Sequence, residues 1–151
     1  MNIYLVDEAA TLKLGRQIAQ VCPIQQFTIH LEGELGAGKT TLSRGLIQAF
    51  GHQGKVKSPT YTLLERYDLT NKTIFHFDLY RISDPEELEF LGLDDYVEHN
   101  SLCLIEWAKQ GASYLADPDL IISLSYQDNA RNAEFQPLSS AAKMLCADLK
   151  N

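Results

Sequence analysis

The chain has 151 residues, of which 45% are hydrophobic and 22% charged, and its formal net charge is −7. This length suits a single domain over residues 1–151, and no run approaches the roughly 18 apolar residues that a membrane span needs. The acidic balance argues against a broad basic surface that grips DNA or RNA, so any RNA is expected to be held by a partner.

The N-terminal segment has no basic start and no apolar signal core, so a cytoplasmic protein is expected. The cysteines Cys22, Cys103 and Cys146 are widely separated and form no C-x-x-C pair. Reduced thiols that pack in the interior are therefore expected, rather than a disulfide framework or a zinc site. Among the histidines, His30 and His76 are expected to be strand residues with no metal role.

In chain order, apolar spacing first predicts a helix over residues 8–21, which the following Cys-Pro pair ends. The short apolar run FTIHL predicts a strand over 27–31. A glycine-rich segment comes next, and the apolar stripe after Lys39 predicts a helix over residues 40–50, with Gly51 as its stop.

Two segments rich in β-branched and aromatic residues, 61–69 and 72–80, predict a hairpin that turns at Thr70-Asn71. A helix is predicted over 84–99, because Asp84 is a capping residue and proline follows at the first helical position. Three strands and a terminal helix complete the prediction, over 101–107, 120–126, 132–137 and 139–150. This mixture predicts a three-layer α/β fold with a mixed, partly parallel central sheet and flanking helices.

The segment GELGAGKT matches the pattern G-x-x-x-x-G-K-[ST] at Gly33, Gly38, Lys39 and Thr40, and it lies between a predicted strand and a predicted helix. In such a loop the backbone N–H groups turn toward a phosphate, and the helix directs its positive end to the same place. Lys39 would supply charge to the β- and γ-phosphates, and the Thr40 hydroxyl would bind Mg²⁺. The sequence therefore predicts a phosphate-binding loop.

Two acids each close an apolar strand, Asp78 after IFHF and Glu106 after LCLI. Ligand sites in α/β sheets lie beyond the carboxyl ends of the strands, so both acids are expected to face the phosphates. One would hold the metal, and the other would hold metal or orient the attacking water. Thr60 lies in a loop where many such proteins keep a switch that senses the γ-phosphate. Trp107 is read either as a neighbour of the nucleotide or as a core residue.

ATP is favoured over GTP, because the one Asn-Lys pair, Asn71-Lys72, lacks the Asp of a guanine reader and no D-x-x-G follows Asp78. Two alternatives to an ATPase stay open. One is a small-molecule kinase, although the basic residues available for a lid are few: Lys72, Arg81, Lys109 and Arg131. The other is a module that binds ATP without hydrolysing it and uses it to order a loop for a partner.

The segments GELGAGKTTLSRG, SPTYTLLERY, HFDLYRISDPEELEFLGL and IEW, in this order, resemble the TsaE (YjeE) family over about residues 8–136. The resemblance implies a small P-loop ATPase of threonylcarbamoyladenosine biosynthesis, weak alone and stimulated by TsaD and TsaB. That pair transfers the threonylcarbamoyl group to adenosine in tRNAs that read codons beginning with A. The tRNA would be met only through these partners.

The resemblance also implies the site residues. Lys39, Thr60, Asp78 and Glu106 would be catalytic, and Thr40, Asp78 and Glu106 would hold the metal. ATP would be bound by Thr11, Gly33, Glu34, Leu35, Gly36, Ala37, Gly38, Lys39, Thr40, Thr41, Trp107 and Arg131. The segment after Pro137 has no counterpart in the resemblance.

Overall fold

A computed structural model describes residues 1–91 and 100–150. The strands are β1 (Asn2–Leu5), β2 (Phe27–Glu32), β3 (Leu64–Asp68), β4 (Thr73–Asp78), β5 (Ser101–Glu106), β6 (Leu120–Gln127) and β7 (Ala130–Pro137). The helices are α1 (Glu8–Val21), α2 (Lys39–Ala49) and α3 (Ser140–Lys150), with 3₁₀ helices over Pro85–Leu91 and Ala108–Tyr114. No helix in these described segments is long and apolar enough to cross a membrane.

The strands form one sheet of seven, in the order β1-β7-β6-β2-β5-β4-β3. The four central strands β6, β2, β5 and β4 run parallel. At one edge β3 runs antiparallel to β4. At the other edge β7 runs antiparallel to β6, and β1 in turn runs antiparallel to β7. The predicted mixed, partly parallel α/β fold is thus confirmed, and β2, β4 and β5 direct their carboxyl ends to the same side of the sheet.

The two faces of the sheet pack against different layers. Alternate residues of β2 enter the larger core, which α1, α2 and α3 cover. Its largest fully buried members include Phe27, Leu14, Ile18, Ile29, Leu42, Leu46 and Ile47. On the other face a smaller core forms with the 3₁₀ helices, from Phe75, Phe77, Leu79, Ile82, Leu88, Cys103, Ile105 and Ala108. Successive residues of the central strands enter the two cores in turn, because side chains alternate between the faces of a strand and both faces of this sheet are covered.

Helices α1 and α2 approach each other closely at two glycines. A Cβ on Gly15 would lie 2.4 Å from the carbonyl oxygen of Leu42, and one on Gly45 would lie 2.4 Å from that of Leu12. Real Cβ atoms do not come so near a backbone atom, so only glycine permits this spacing. The contact fixes α1 relative to α2, and α2 begins at the glycine-rich loop.

Most predicted elements are found at or near their predicted bounds, with the following differences. The strand β1 and the 3₁₀ helix Ala108–Tyr114 were not predicted. The first hairpin strand begins at Leu64, because the residues before it form a turn in which the Leu63 N–H donates to the Pro59 carbonyl at 2.8 Å. The predicted helix over 84–99 begins as a 3₁₀ helix, and Asp84 does cap it by accepting the Glu86 N–H at 3.0 Å. The remainder of that prediction, residues 92–99, lies outside the described residues.

Lys72, directly before β4, has a structural role. Its Nζ donates to the carbonyls of Pro23, Ile24 and Gln25 at 2.7, 3.0 and 3.3 Å, and the residue is 3% exposed. These three carbonyls belong to the segment that follows α1, so the ammonium ties this segment to the hairpin. Lys72 is therefore not available for a phosphate-closing lid.

We expect Gly45→Ala to lower stability, although alanine is the better helix former by about 1 kcal/mol. The added methyl would meet backbone rather than a movable side chain, and such overpacking costs about 1–3 kcal/mol. The melting temperature should fall by roughly 2–4 °C for each kcal/mol. The control is Gln17→Ala on the exposed side of α1. Equal melting temperatures for Gly45→Ala and the wild type would contradict the close-packing account.

Candidate functional site

The glycine-rich loop joins the carboxyl end of β2 to α2 in a conformation that needs glycine. Gly36 has φ 81° and Gly38 has φ 110°, both in the left-handed region that other residues rarely adopt. A Cβ on Gly36 would also lie 2.9 Å from the Tyr126 hydroxyl. The Tyr126 hydroxyl donates to the Leu35 carbonyl at 3.1 Å, so the β6–β7 hairpin supports the outside of the loop.

The amino end of α2 is open to an anion. The helix begins at Lys39, and no side chain in the described segments caps it, because the N-cap residue is Gly38. The first-turn N–H groups of a helix have no intrahelical partner, and the helix dipole adds a partial positive charge there. The first turn of an uncapped helix that follows a glycine loop can bind an anion through its backbone N–H groups, without any side chain.

Lys39 brings a further positive charge into this place while being only 5% exposed. Its Nζ donates to the Gly33 carbonyl and lies 3.9 Å from the centroid of the Trp107 ring. Burial lowers the pKa of Lys39, whereas the neighbouring carboxylates Glu106 and Asp78 act to raise it. The lysine is thus surrounded by loop backbone, an aromatic face and two acids.

The two acids lie side by side at the ends of neighbouring parallel strands. Asp78 on β4 is the register partner of Glu106 on β5. They are 4% and 2% exposed. Paired carboxylates buried this deeply repel each other and need compensating donors or cations. Lys39 and the α2 amino end provide that compensation from the opposite side.

Asp78 is held by donors from both of its flanks. Its Oδ2 accepts a hydrogen bond from the Thr60 hydroxyl at 3.0 Å, and its Oδ1 accepts the Tyr80 N–H at 3.0 Å. The Ser58 hydroxyl lies 2.7 Å from that of Thr60. The predicted switch loop therefore reaches the acid directly through Thr60.

Glu106 is held by a residue that the sequence analysis had left without a role. His76 is 0% exposed, and its Nε2 lies 2.6 Å from Oε2 of Glu106. The signal for this contact was present in the sequence, because His76 stands two residues before Asp78 and so shares its face of β4. An interior histidine alone was not enough to predict it.

Trp107 has an unusual backbone for a large side chain. Its φ is 59°, in the left-handed region, at the position directly after Glu106. Non-glycine residues in this region concentrate at functional sites, where surrounding structure holds them. The ring packs against Tyr80, with centroids 4.9 Å apart and planes tilted by 47°, in addition to its contact with Lys39.

These groups surround a central cavity of about 220 Å³. It is lined by Leu35, Gly36, Gly38, Lys39, Thr40, Thr41, Ser58, Thr60, Asp78, Glu106 and Trp107. Ten of the residues that the sequence analysis selected, Leu35 among them, thus meet here. Ser58 is an addition to the prediction, and it enters through its contact with Thr60.

An outer cavity of about 230 Å³ adjoins the central one across Gly36, Gly38 and Thr41. It is lined by Asp7, Glu8, Thr11, Gly36, Ala37, Gly38, Thr41, Asn129, Ala130 and Arg131. Thr11 and Arg131, which the resemblance implied, both lie in this wall. The guanidinium of Arg131 stacks 4.0 Å from the Tyr126 ring, and its Nη2 donates to the Gly36 carbonyl at 3.5 Å. Asp7, Glu8 and Asn129 were not predicted.

Glu34 is not brought into the central cavity. With Gly33, it lines a separate, mostly apolar cleft of about 310 Å³ on the other side of Lys39 and Trp107, beside the 3₁₀ helix that starts at Ala108.

The described residues contain no group of three or more His, Cys, Asp or Glu side chains that could hold a metal ion. The central cavity nevertheless offers the Thr40 hydroxyl and two carboxylates, which are the oxygen ligands that Mg²⁺ prefers. Mg²⁺ commonly takes one or two carboxylates together with substrate phosphates. This donor set fits a metal that arrives with a nucleotide.

Comparison with known proteins agrees with the resemblance of the motifs. Residues 5–133 match the family model described as threonylcarbamoyl adenosine biosynthesis protein TsaE. The Haemophilus influenzae tRNA threonylcarbamoyladenosine biosynthesis protein TsaE is 45% identical over 152 residues, covering 98% of this chain and 96% of its own. The Bacillus subtilis protein of the same name is 38% identical over 120 residues, covering 79% and 75%.

A solved structure extends the similarity to the fold. The crystal structure of Bacillus subtilis YdiB aligns with a TM-score of 0.83 at 28% identity, covering 99% of this chain and 93% of that one. The family model, the sequence relatives and the aligned structure therefore agree, and the chain belongs to the TsaE family.

Proposed function

We propose that this chain is an ATPase of tRNA threonylcarbamoyladenosine biosynthesis, which binds ATP with Mg²⁺ at the central cavity and hydrolyses the β–γ bond. One observation carries the proposal: Lys39 and Thr40 of the glycine loop share a cavity with the buried acids Asp78 and Glu106. A phosphate loop opposite paired acids provides the positioning and charge neutralisation on which phosphoryl transfer depends. Family membership supports the pathway.

Three features support binding of the nucleotide in one orientation. The open amino end of α2 and the loop backbone would hold the β-phosphate. Lys39 would contact the β- and γ-oxygens as a point charge. The outer cavity, with Thr11 and Arg131 in its wall, would receive the nucleoside, because it continues from the loop on the side away from the acids.

The metal would be held by Thr40, Glu106 and Asp78. Bound Mg²⁺ supplies positive charge to the β- and γ-phosphate oxygens. Every donor that the chain offers it is an oxygen, and the lack of a third acid among the described residues fits an ion whose other ligands are phosphate and water.

Asp78 and Thr60 suit the orientation of the attacking water. The Thr60 hydroxyl at present donates to Oδ2 of Asp78, and the Tyr80 N–H holds Oδ1. Turning the Thr60 hydroxyl toward the γ-phosphate would leave Oδ2 free to accept a hydrogen bond from water. The reaction in this proposal proceeds by positioning and charge stabilisation, without a covalent intermediate.

In this proposal the chain acts in the cytoplasm together with TsaD and TsaB. It does not bind tRNA directly, because these partners hold the tRNA. An acidic chain of net charge −7 suits an ATPase that acts on a partner's conformation rather than on RNA phosphates. We take residues 1–151 as a single ATPase domain. The proposed site comprises the catalytic, metal and nucleotide residues given in the sequence analysis.

Glu106→Gln should reduce phosphate release in the presence of TsaB and TsaD by roughly 100-fold or more, because a neutral amide replaces a buried anionic ligand of the metal. Binding of ADP should persist. Turnover is measured as the rate of phosphate release. ADP binding is measured by the fluorescence emission of Trp107, the one tryptophan of the chain.

The matched control is Glu32→Gln, because Glu32 ends the neighbouring parallel strand β2 but does not line the central cavity. Full turnover by Glu106→Gln with the partners would refute the metal role. A phosphorylated small molecule in place of free phosphate would favour the kinase. Binding of ATP by the wild type without phosphate release would favour the sensing module.

Thr60→Val should separate binding of ATP from binding of ADP, since its hydroxyl is proposed to contact the γ-phosphate or the metal. We expect affinity for a non-hydrolysable ATP analogue to fall about tenfold, the effect of one hydrogen bond to a charged group, while ADP affinity is unchanged. The control is Thr62→Val, because Thr62 is exposed and its hydroxyl donates to the Glu65 carboxylate at 3.1 Å, outside the central cavity. An equal loss for both nucleotides would contradict the switch role.

A further inference from the structure

His76 is a buried polar residue that the proposed mechanism does not use. It lies on β4, is 0% exposed, and makes one short contact, from Nε2 to Oε2 of Glu106 at 2.6 Å. Burying a polar group without a partner is costly. The ring also fills less apolar volume than a phenylalanine would at the same place. The hydrogen bond to Glu106 is therefore the reason to look for a role of histidine at this buried position.

The strand register places His76 behind the acids and away from the cavity. Asp78 is paired with Glu106, while His76 is paired with Leu104, two residues earlier on both strands. The cavity lining includes Asp78 and Glu106 but not His76. A ligand in the cavity would thus meet the carboxylates, and His76 would act on it only through Glu106.

The two ring nitrogens are used unequally. A metal-binding carboxylate is ionised and only accepts hydrogen bonds, so with the proposed role of Glu106 it is Nε2 that would carry the proton donated to Oε2. The other nitrogen, Nδ1, is buried and has no hydrogen-bond partner among residues 1–91 and 100–150. Here the one satisfied nitrogen is the one that faces the acid.

We propose that His76 is a positioning residue, which fixes the Glu106 carboxylate by its Oε2 and so presents Oε1 to the metal of the bound nucleotide. This inference rests on the proposed metal role of Glu106. Without the donor, the buried carboxylate loses the contact that selects one rotamer. Partners of this kind behind a metal ligand typically change metal affinity by about 10–100-fold.

Two amide substitutions at His76 distinguish the effect of a hydrogen-bond donor near Glu106 from the effect of a polar side chain at this position. His76→Gln keeps an N–H donor at a reach similar to that of Nε2. His76→Asn carries the same amide on a chain one methylene shorter, which cannot span the distance to Glu106. The probe is Mn²⁺ added to the ADP complex of the full chain, with free Mn²⁺ followed by electron paramagnetic resonance. Metal-free ADP binding is followed by Trp107 emission.

We expect His76→Asn to weaken Mn²⁺ binding by roughly 10–100-fold, and His76→Gln to retain most of the affinity. ADP affinity without metal should be the same in all variants, which a loss of structure would not permit. In the Glu106→Gln background, His76→Asn should have no further effect, because the group through which it acts is already neutral.

The matched control is His30→Asn. His30 also lies on a central strand and also has a buried Nε2 without a hydrogen-bond partner in the described segments. It faces the opposite side of the sheet, since its neighbours Ile29 and Leu31 belong to the larger core. This change should leave Mn²⁺ affinity unaltered.

Wild-type affinity in His76→Asn, or further weakening of the Glu106→Gln protein by His76→Asn, would overturn the positioning role. If His76→Asn does not fold, a folded His76→Gln that loses affinity as fully as Glu106→Gln would overturn it equally. Failure of the wild type to bind ADP and Mn²⁺ at all would instead reject the proposed function itself.

Discussion

Two buried carboxylates at the ends of neighbouring parallel strands impose the constraint on which the site depends. Asp78 and Glu106 are register partners, so their charges lie side by side in a region of low dielectric. Such a pair is stable only when positive groups face it. Lys39 and the open amino end of α2 supply them, and the close packing of α1 on α2 at Gly45 holds that helix in place.

The oxygens of the two acids are held in different ways. Asp78 Oδ2 is bound by Thr60, which belongs to a surface loop, whereas Glu106 Oε2 is bound by the interior side chain of His76. A hydroxyl on a loop can exchange partners at small cost, while an imidazole packed inside a sheet cannot. The pair therefore combines one carboxylate that is able to respond to a ligand with one that is kept fixed.

Sequence periodicity and motif spacing were sufficient to predict the sheet class, the loop and both acids, because each of these is encoded by residues near one another in the chain. They did not predict β1, whose four residues carry little pattern and which pairs with the distant strand β7. The contact of His76 with Glu106 was also missed, as were the positions of Asp7, Glu8 and Asn129 in the wall of the outer cavity. These depend on strand register and on the approach of distant segments, which local patterns do not contain.

The outer cavity is lined by segments that lie far apart in the sequence and are therefore synthesised at different times. Thr11 comes from the first helix, and Arg131 comes from a hairpin that pairs with β1 only after more than a hundred further residues have been joined. Contacts of such high sequence separation form slowly and late. A nascent chain that has emerged only as far as the glycine loop would lack one wall of the outer cavity. Under the proposed function, nucleotide binding would therefore require synthesis to proceed at least to Arg131, and a shorter nascent chain would gain no stabilisation from the ligand.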